Sequence, residues 1–124
     1  TCRLQLMELG FEGEHYAELY GLITGRQQSW EELLAVSERI WHLTRAFNVR
    51  EIENFGRHWD HPPKRLSEDP IQSGPNQGYC IPMEDIEFLL DAYYDARGWD
   101  ADGKPTRPTL ERVGLADVAD ALAL

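Results

Sequence analysis

The chain has 124 residues and a formal net charge of -10, from 22 acidic against 12 basic side chains. This length suffices for one domain, which can bury roughly two-thirds of its unfolded surface. The acidic balance argues against nucleic acid or an anionic membrane as the main partner, because either would require a clustered basic face.

Two cysteines do not make a disulfide scaffold, so we expect a reduced, cytoplasmic protein. No apolar run approaches the roughly 20 residues of a transmembrane helix, and no signal peptide is visible. The sequence begins TCRLQLMELG, without an initiator methionine. We therefore expect that it was cut from inside a longer protein.

The first part of the chain predicts two helices. Apolar residues within 2–9 are typical of the C-terminal part of a helix. A second helix is expected from about Glu14 to Ile23, and Gly25 follows at the position where glycine commonly ends a helix.

The most strongly periodic stretch runs from Ser29 to Arg50. Ser29 and Glu32 have the spacing of a capping box, in which each side chain bonds the other residue's backbone amide. The apolar residues recur at spacings of three, four and seven, which predicts one stripe along a helix. The stripe consists of Trp30, Leu33, Leu34, Ile40, Trp41, Leu43 and Phe47. We expect this helix to be central, with both tryptophans in the core.

Residues 54–81 predict an extended, irregular loop. Four prolines remove backbone donors there, and three glycines disfavour regular structure. The segment exceeds the usual length of a loop, which suggests that it wraps the surface of something larger. A partly disordered connector is the alternative.

Another helix is expected to begin at Pro82, with the proline in its first turn, and to end at Gly98. Its predicted buried stripe is Ile86, Leu89, Leu90, Tyr93 and Tyr94. A short helix capped by Thr106 or Thr109 should follow, and 115–124 could add a last one. With no strand signal of useful length, the sequence predicts an all-α fold. We expect one domain over 1–124, an irregular helical bundle with a long Pro/Gly-rich loop.

Two groups of residues could hold a metal ion. Nitrogen, oxygen and sulfur ligands occur together at His58, Asp60, His61 and Cys80, but their spacing matches no standard zinc pattern. Asp100 and Asp102 precede Gly103 as in a calcium loop that lacks its closing glutamate, so a solvated turn is the favoured interpretation. No phosphate-binding loop, nucleophile elbow or Cys-x-x-Cys pair is present. Taken alone, these residues predict no active site.

Several segments in fixed order nevertheless resemble a known family. They are LITG at 22–25, ERIWHLTRAFNVR at 38–50, PPKR at 62–65, EDPIQSGPNQG at 68–78, DAYYDARGWDADGKPT at 91–106 and LERVGL at 110–115. Together they are similar to the C-terminal helical domain of the aldehyde ferredoxin oxidoreductase family, tungsten enzymes built on a bis-pterin cofactor. The resemblance extends from Cys2 to about Leu115.

The resemblance implies a role for Cys2. It stands where the family has the last of four thiolates on an iron–sulfur cluster of the 4Fe-4S type, which needs one thiolate per iron. The three partner cysteines and the pterin-binding acidic motif would lie upstream, in a longer protein. Cys80 has no ligand role in the family pattern, and we interpret it as structural.

The function implied is therefore that of one domain of a larger oxidoreductase. The whole enzyme would oxidise an aldehyde to a carboxylic acid and pass electrons through the cluster to ferredoxin. The upstream domains, ferredoxin and the aldehyde would be its partners, and the helices here would close one side of the cofactor cavity. We expect the isolated chain to be inactive and to hold no cofactor of its own.

The sequence departs from the family after Arg50. Relatives continue with a glycine and an Arg-x-x-Asp stretch before Leu-Pro, whereas EIENFGRHWDHPPKR stands here, with Pro62 in place of the apolar residue. Two alternatives stay open. One is a subunit domain of a complex that reduces aromatic thioesters, and the other is a non-catalytic helical interaction module that kept the fold.

Overall fold

The structure is a computed structural model that describes residue 8 and residues 10–123. Cys2, and almost all of the helix predicted at 2–9, lie outside the described residues. Within the described part the regular structure is helical, with an isolated β-bridge between Trp99 and Pro105 and no strand. The all-α prediction is confirmed.

Six α-helices and one 3-10 helix are described. They are α1 (Gly13–Thr24), α2 (Trp30–Glu51), the 3-10 helix (Arg57–Trp59), α3 (Arg65–Glu68), α4 (Met83–Arg97), α5 (Arg107–Arg112) and α6 (Ala116–Ala121). The four helices predicted after residue 10 lie within a few residues of their expected positions, and the possible last one is present as α6. The sequence analysis missed α3 and the 3-10 helix, because single turns carry almost no periodic signal.

Contacts group the chain into two compact units, residues 1–41 and 42–124. In the first unit the capping box at the start of α2 is formed. The Ser29 amide donates to Glu32 Oε2 at 2.8 Å, and the Glu32 amide donates to Ser29 Oγ at 3.2 Å. The Trp30 ring stacks on that of Tyr16, with 6.2 Å between centroids.

The second unit has a small apolar core where α5 meets α6. Leu110, Leu115 and Ala119 are buried there, and Val113, Val118 and Leu122 pack against them. The Leu115 amide donates to the Leu110 carbonyl at 2.8 Å, which closes the turn between the two short helices.

The prediction that the apolar stripe of α2 forms the core is wrong for most of its residues. Trp41 is 48% exposed and Phe47 54% exposed, and Leu34, Ile40 and Leu43 are also exposed. The buried residues of α2 are instead His42 and Ala46. The helix therefore turns a different face towards the rest of the second unit, and most of its apolar stripe is left uncovered by the described residues.

The predicted stripe of α4 is only partly confirmed. Ile86 and Tyr94 are buried, and Leu90 and Tyr93 are half-buried, but Leu89 is 64% exposed. None of the described helices is both long enough and apolar enough to cross a membrane.

The irregular segment before α4 is held by its own backbone hydrogen bonds. The Ile71 amide donates to the Tyr79 carbonyl at 2.9 Å, and the Gly78 amide donates to the Ile71 carbonyl at 2.8 Å. The Ile81 amide reaches back to the Leu66 carbonyl at 2.9 Å. The Pro/Gly-rich stretch is thus a folded loop with short helical turns.

Candidate functional site

A charged cluster in the second unit is centred on Arg45. Its guanidinium forks onto Asp60, with Nη1 donating to Oδ1 at 2.8 Å and Nη2 donating to Oδ2. Its Nε donates to the Gly103 carbonyl at 2.7 Å. The two side chains are only 11% and 23% exposed. A bidentate pair of this kind is strong and directional, so it fixes Asp60 against the middle of α2.

Aromatic rings surround the Arg45 guanidinium. Its central carbon lies 4.6 Å from the ring centroids of both Phe55 and Trp99. Arginine suits such a site because its flat, weakly hydrated cation packs on ring faces while it keeps its hydrogen bonds. The cluster thereby connects α2, the segment after it and the end of α4.

Tyr94 completes the cluster from α4. Its hydroxyl donates to Asp60 Oδ2 at 2.5 Å. Burial first, and then the hydrogen bond to Asp60, raise the pKa of Tyr94 to about 12. Burial alone would raise the pKa of Asp60, but the hydrogen bonds and charge of Arg45, with the Tyr94 hydroxyl, hold that pKa below its ordinary value. The folded chain therefore favours a charged Asp60 beside a neutral Tyr94.

A tight turn at 98–106 places Gly103 against this cluster. Asp100 Oδ1 accepts from the amides of Asp102, at 3.0 Å, and Lys104, at 2.9 Å. Gly103 has a φ of +74°, and a Cβ added there would lie 2.4 Å from Arg45 Nη2. Only glycine fits both the turn and the close approach. The Asp100 carboxylate thus stabilises its own turn, which agrees with the solvated-turn interpretation.

His42 is fully buried beside Trp99. The indole Nε1 donates to His42 Nδ1 at 2.9 Å, and the two ring centroids are 5.9 Å apart. This bond makes Nδ1 an acceptor. His42 therefore orients the indole that forms one wall of the Arg45 site.

A second ion-pair network joins the 3-10 helix to α4. Arg57 Nε donates to Glu87 Oε2 at 2.5 Å, and its Nη1 lies 2.8 Å from Asp91 Oδ1. His61 Nε2 lies 2.8 Å from Glu87 Oε1. The Arg57 guanidinium also lies 5.2 Å from the Tyr94 ring centroid, so the two networks share that ring.

The structure does not bring His58, Asp60, His61 and Cys80 together as metal ligands, in keeping with their non-standard spacing. Asp60 is held by Arg45, and His61 contacts Glu87. Across residue 8 and residues 10–123, no three His, Cys, Asp or Glu side chains are grouped so as to hold a metal ion. Cys2, the predicted cluster ligand, lies outside the described residues.

Sequence analysis did not predict the Arg45 cluster. The residues taken alone indicate Asp60 only as a candidate metal ligand and give no role to Arg45 in a site. The sequence offers only an indirect indication of this cluster. Its members Arg45, Tyr94 and Gly103 all lie in the segments that carry the family resemblance. Local periodicity does not reveal which residues meet across 58 positions, as the Arg45 side chain and the Gly103 carbonyl do.

The described part of the chain is helical, and in its second unit the polar residues of the Arg45 cluster build an internal framework. The chain belongs to the aldehyde ferredoxin oxidoreductase family, since the family model for aldehyde ferredoxin oxidoreductase, domains 2 and 3, matches residues 1–115. The tungsten-containing aldehyde ferredoxin oxidoreductase of Pyrococcus furiosus is 34% identical over 108 residues, which cover 87% of this chain and 17% of that protein. The corresponding enzyme of Thermococcus kodakarensis is 32% identical over the same share of each chain.

A solved structure is also similar. It is the active site complex BamBC of benzoyl coenzyme A reductase in complex with 1,5 dienoyl-CoA. The TM-score is 0.69 at 30% identity, over 90% of this chain and 15% of that one. The chain spans about 17% of the length of these curated relatives. These relatives place it in a family of oxidoreductases, several of them tungsten enzymes.

The described residues alone do not supply the set of thiolates that an iron–sulfur cluster requires. Their carboxylates near the Arg45 cluster are engaged by arginine and tyrosine, and no described cysteine lies with a second one.

Proposed function

We propose that residues 1–124 act as one domain, C-terminal in a larger tungsten-pterin oxidoreductase. The whole enzyme would convert an aldehyde and water into a carboxylic acid, two protons and two electrons, and would deliver the electrons to ferredoxin through a 4Fe-4S cluster. The observation that carries this proposal is the 34% identity to a tungsten-containing aldehyde ferredoxin oxidoreductase over 87% of the chain. We further propose a cytoplasmic location, in keeping with the low cysteine content.

The described residues would serve this function as a framework. The Arg45 fork, the Tyr94 hydroxyl and the Gly103 turn tie together three segments that are distant in sequence. Charged side chains anchored in this way resist the rearrangement of their surroundings. The domain would thereby present a stiff wall to one side of the cofactor cavity.

Cys2 is the proposed cluster ligand. A cubane requires four thiolates, so Cys2 would supply one and an upstream group of three would supply the rest. In the longer polypeptide, Cys2→Ala should lower the iron content and greatly reduce ferredoxin-linked turnover, while the helical content stays the same. Iron would be measured per purified polypeptide, and helical content by circular dichroism.

The chain offers a matched control for this variant. Cys80 is the other cysteine of the sequence and is half-buried among the described residues. Cys80→Ala should leave iron content and turnover close to those of the unaltered protein. If Cys2→Ala kept full iron occupancy and normal turnover, the assignment of Cys2 would have to be withdrawn.

A second candidate function is a subunit domain of a complex that reduces aromatic thioesters. The observation that favours it is the similarity to BamBC, at 30% identity and a TM-score of 0.69. The two candidates predict different substrates for the same purified protein. Aldehyde-dependent reduction of ferredoxin supports the first. Two-electron reduction of an aromatic coenzyme A thioester to a cyclic diene, with an added low-potential electron donor, supports the second.

Metal analysis of the longer polypeptide tests both candidates against a non-catalytic module. Tungsten and iron in constant ratio to protein would support an enzyme. A purified, folded protein that holds neither, after growth with tungstate and under exclusion of air, would overturn the proposed function.

A further inference from the structure

Three aromatic side chains of the second unit form a closed triangle of ring contacts. The ring centroids of Tyr93 and Trp99 are 5.5 Å apart, those of Tyr94 and Trp99 6.1 Å, and those of Tyr93 and Tyr94 6.3 Å. Each ring therefore packs on the other two at the usual spacing of aromatic pairs. Tyrosine and tryptophan are the aromatic side chains that lose an electron most readily, so this triangle can pass an oxidising equivalent from ring to ring.

Two of the three rings are buried and hydrogen-bonded to a base. The Tyr94 hydroxyl donates to Asp60 Oδ2 at 2.5 Å, and the Trp99 indole Nε1 donates to His42 Nδ1 at 2.9 Å. Only 3% of Tyr94 and 7% of Trp99 are exposed. Backbone carbonyls would satisfy the same donors, but a carboxylate and an imidazole can also take up a proton. Because a phenol or an indole becomes strongly acidic when it loses an electron, each ring has an acceptor for its proton already in contact.

A shallow surface pocket gives access to the two buried rings. Its volume is about 180 Å³, and Tyr94, Trp99 and Ala101 lie in its wall. The rest of its lining consists of exposed carboxylates, those of Asp91, Asp95 and Asp100. A small oxidant in this pocket therefore lies against both buried rings.

The third ring gives the oxidising equivalent a way out of the interior. Oxidation of Tyr94 weakens the pair of Arg45 and Asp60, because the carboxylate must then hold a proton beside the guanidinium. Oxidation of Trp99 places positive charge on a ring whose centroid lies 4.6 Å from the central carbon of Arg45. Tyr93 is only half-buried, so its proton can pass to solvent when it is oxidised. The oxidised state is therefore most stable on Tyr93.

We propose that Tyr94, Trp99 and Tyr93 form a relay that carries a one-electron oxidising equivalent from the pocket to the protein surface. The oxidant is a small oxygen-derived radical of the peroxyl class. It takes one electron from Tyr94 and a proton from water and leaves as a hydroperoxide, while the Tyr94 hydroxyl proton moves to Asp60. An electron from Tyr93 then restores Tyr94 through the ring contacts, the proton returns from Asp60, and Tyr93 releases its own proton to solvent. A thiol in solution returns Tyr93 to its resting state by giving it one electron and one proton.

This relay goes beyond the proposed function and uses none of its tungsten or cluster chemistry. The 124-residue chain alone therefore suffices for the test. A ruthenium polypyridyl photo-oxidant is attached through Ala101→Cys, because Ala101 is exposed and lines the pocket. Cys2→Ser and Cys80→Ser remove the native thiols. A light flash with an external electron acceptor oxidises the ruthenium complex, which then withdraws one electron from the protein.

The first measurement locates the radical that results. Tyrosyl radicals are captured with a nitroso spin trap, and the modified residue is identified by fragmentation mass spectrometry. Tyr79 is the matched comparison, because it is 54% exposed but takes part in none of the ring contacts among the described residues. We expect adducts on Tyr93 to exceed those on Tyr79 by at least about tenfold, a ratio of rates that corresponds to about 1.4 kcal/mol of barrier.

The second measurement tells a relay from direct oxidation of the outer ring. Tyr93→Phe removes one hydroxyl from a half-buried side chain and leaves Tyr94 and Trp99 in place. The ruthenium complex should be reduced again at an unchanged rate, because the first electron comes from a buried ring. The yield of trapped radical should fall at least about tenfold, which again corresponds to about 1.4 kcal/mol. In the chain with Tyr93 intact, this reduction should be slower in deuterium oxide, because the proton moves to Asp60 as the electron leaves.

An aromatic core without a relay gives different results. If the adducts follow exposure, so that Tyr79 carries as many as Tyr93, the relay is overturned. A rate of ruthenium reduction that falls together with the yield in Tyr93→Phe would identify Tyr93 as the direct donor and would also overturn it. The same rate in water and deuterium oxide would contradict the proton transfer to Asp60. The proposed function is unaffected by any of these results, since the measurements involve no tungsten and no iron.

Discussion

Removal of the Asp60 carboxylate should strongly destabilise the second unit. Asp60 accepts three hydrogen bonds, two from the Arg45 guanidinium and one from the Tyr94 hydroxyl. Asp60→Ala leaves a cation that is only 11% exposed without its counter-ion, and a buried hydroxyl without its acceptor. Breaking a buried pair from one side commonly costs about 3–5 kcal/mol.

The expected cost for this site is lower than for a fully buried pair. Asp60 itself is 23% exposed, so water can partly solvate the guanidinium once the carboxylate is gone. Arg45 also keeps its hydrogen bond to the Gly103 carbonyl. We therefore expect the free energy of unfolding to fall by about 2–4 kcal/mol.

Urea unfolding followed by circular dichroism measures this change. The control is Asp120→Ala, because Asp120 also pairs with an arginine, Arg107 at 2.8 Å, but is 72% exposed. Exposed pairs contribute at most about 1 kcal/mol, so this variant should unfold close to the unaltered chain. If Asp60→Ala were as stable as Asp120→Ala, the Arg45 cluster would not be the framework of this unit.

Three further predictions concern the same cluster. Gly103→Ala should cost more than Gly114→Ala by about 1–3 kcal/mol in urea unfolding, because both have a φ of +74° but only the first Cβ would meet the Arg45 guanidinium. Equal costs would mean that backbone strain alone accounts for the effect. The raised pKa of Tyr94 stabilises the fold fully below the unfolded pKa of about 10, and that contribution should be lost as the pH rises towards 12. Tyr94→Phe should therefore flatten the fall in stability between those pH values, and an unchanged slope would contradict the assigned pKa. Asp60, with its depressed pKa, should stabilise the fold above about pH 4 and lose that effect in stronger acid.

The helices were predictable because their signals are local. The capping box of Ser29 and Glu32 is formed as predicted, and a glycine follows α1 and α4 as expected. These features depend on neighbours within four residues. The local sequence alone is therefore enough to predict them.

The burial of α2 was not predictable in the same way. Periodicity indicates that a helix has an apolar face, but it does not say which part of the protein covers that face. Phe47 and Trp41 are apolar, yet the described residues leave both about half exposed. The buried face belongs to His42 and Ala46, because His42 meets Trp99 through a hydrogen bond across 57 residues.

The candidate site was also predictable only in part. The resemblance pointed to the segments that hold Arg45, Tyr94 and Gly103, but not to their mutual contacts. The sequence HWDH makes Asp60 a candidate zinc ligand. It does not reveal that the Asp60 carboxylate pairs with Arg45 in the fold. Pairings between distant segments require the fold itself.

The most direct test of the account is the reduction of ferredoxin by an aldehyde, measured with the purified longer polypeptide without air. The account predicts that aliphatic or aromatic aldehydes reduce ferredoxin, with two electrons delivered for each molecule of carboxylic acid formed. It also predicts that Cys2→Ala abolishes most of this reduction while the protein stays folded. A protein loaded with tungsten and iron that reduces no ferredoxin with any aldehyde, but acts on an aromatic thioester, would contradict it.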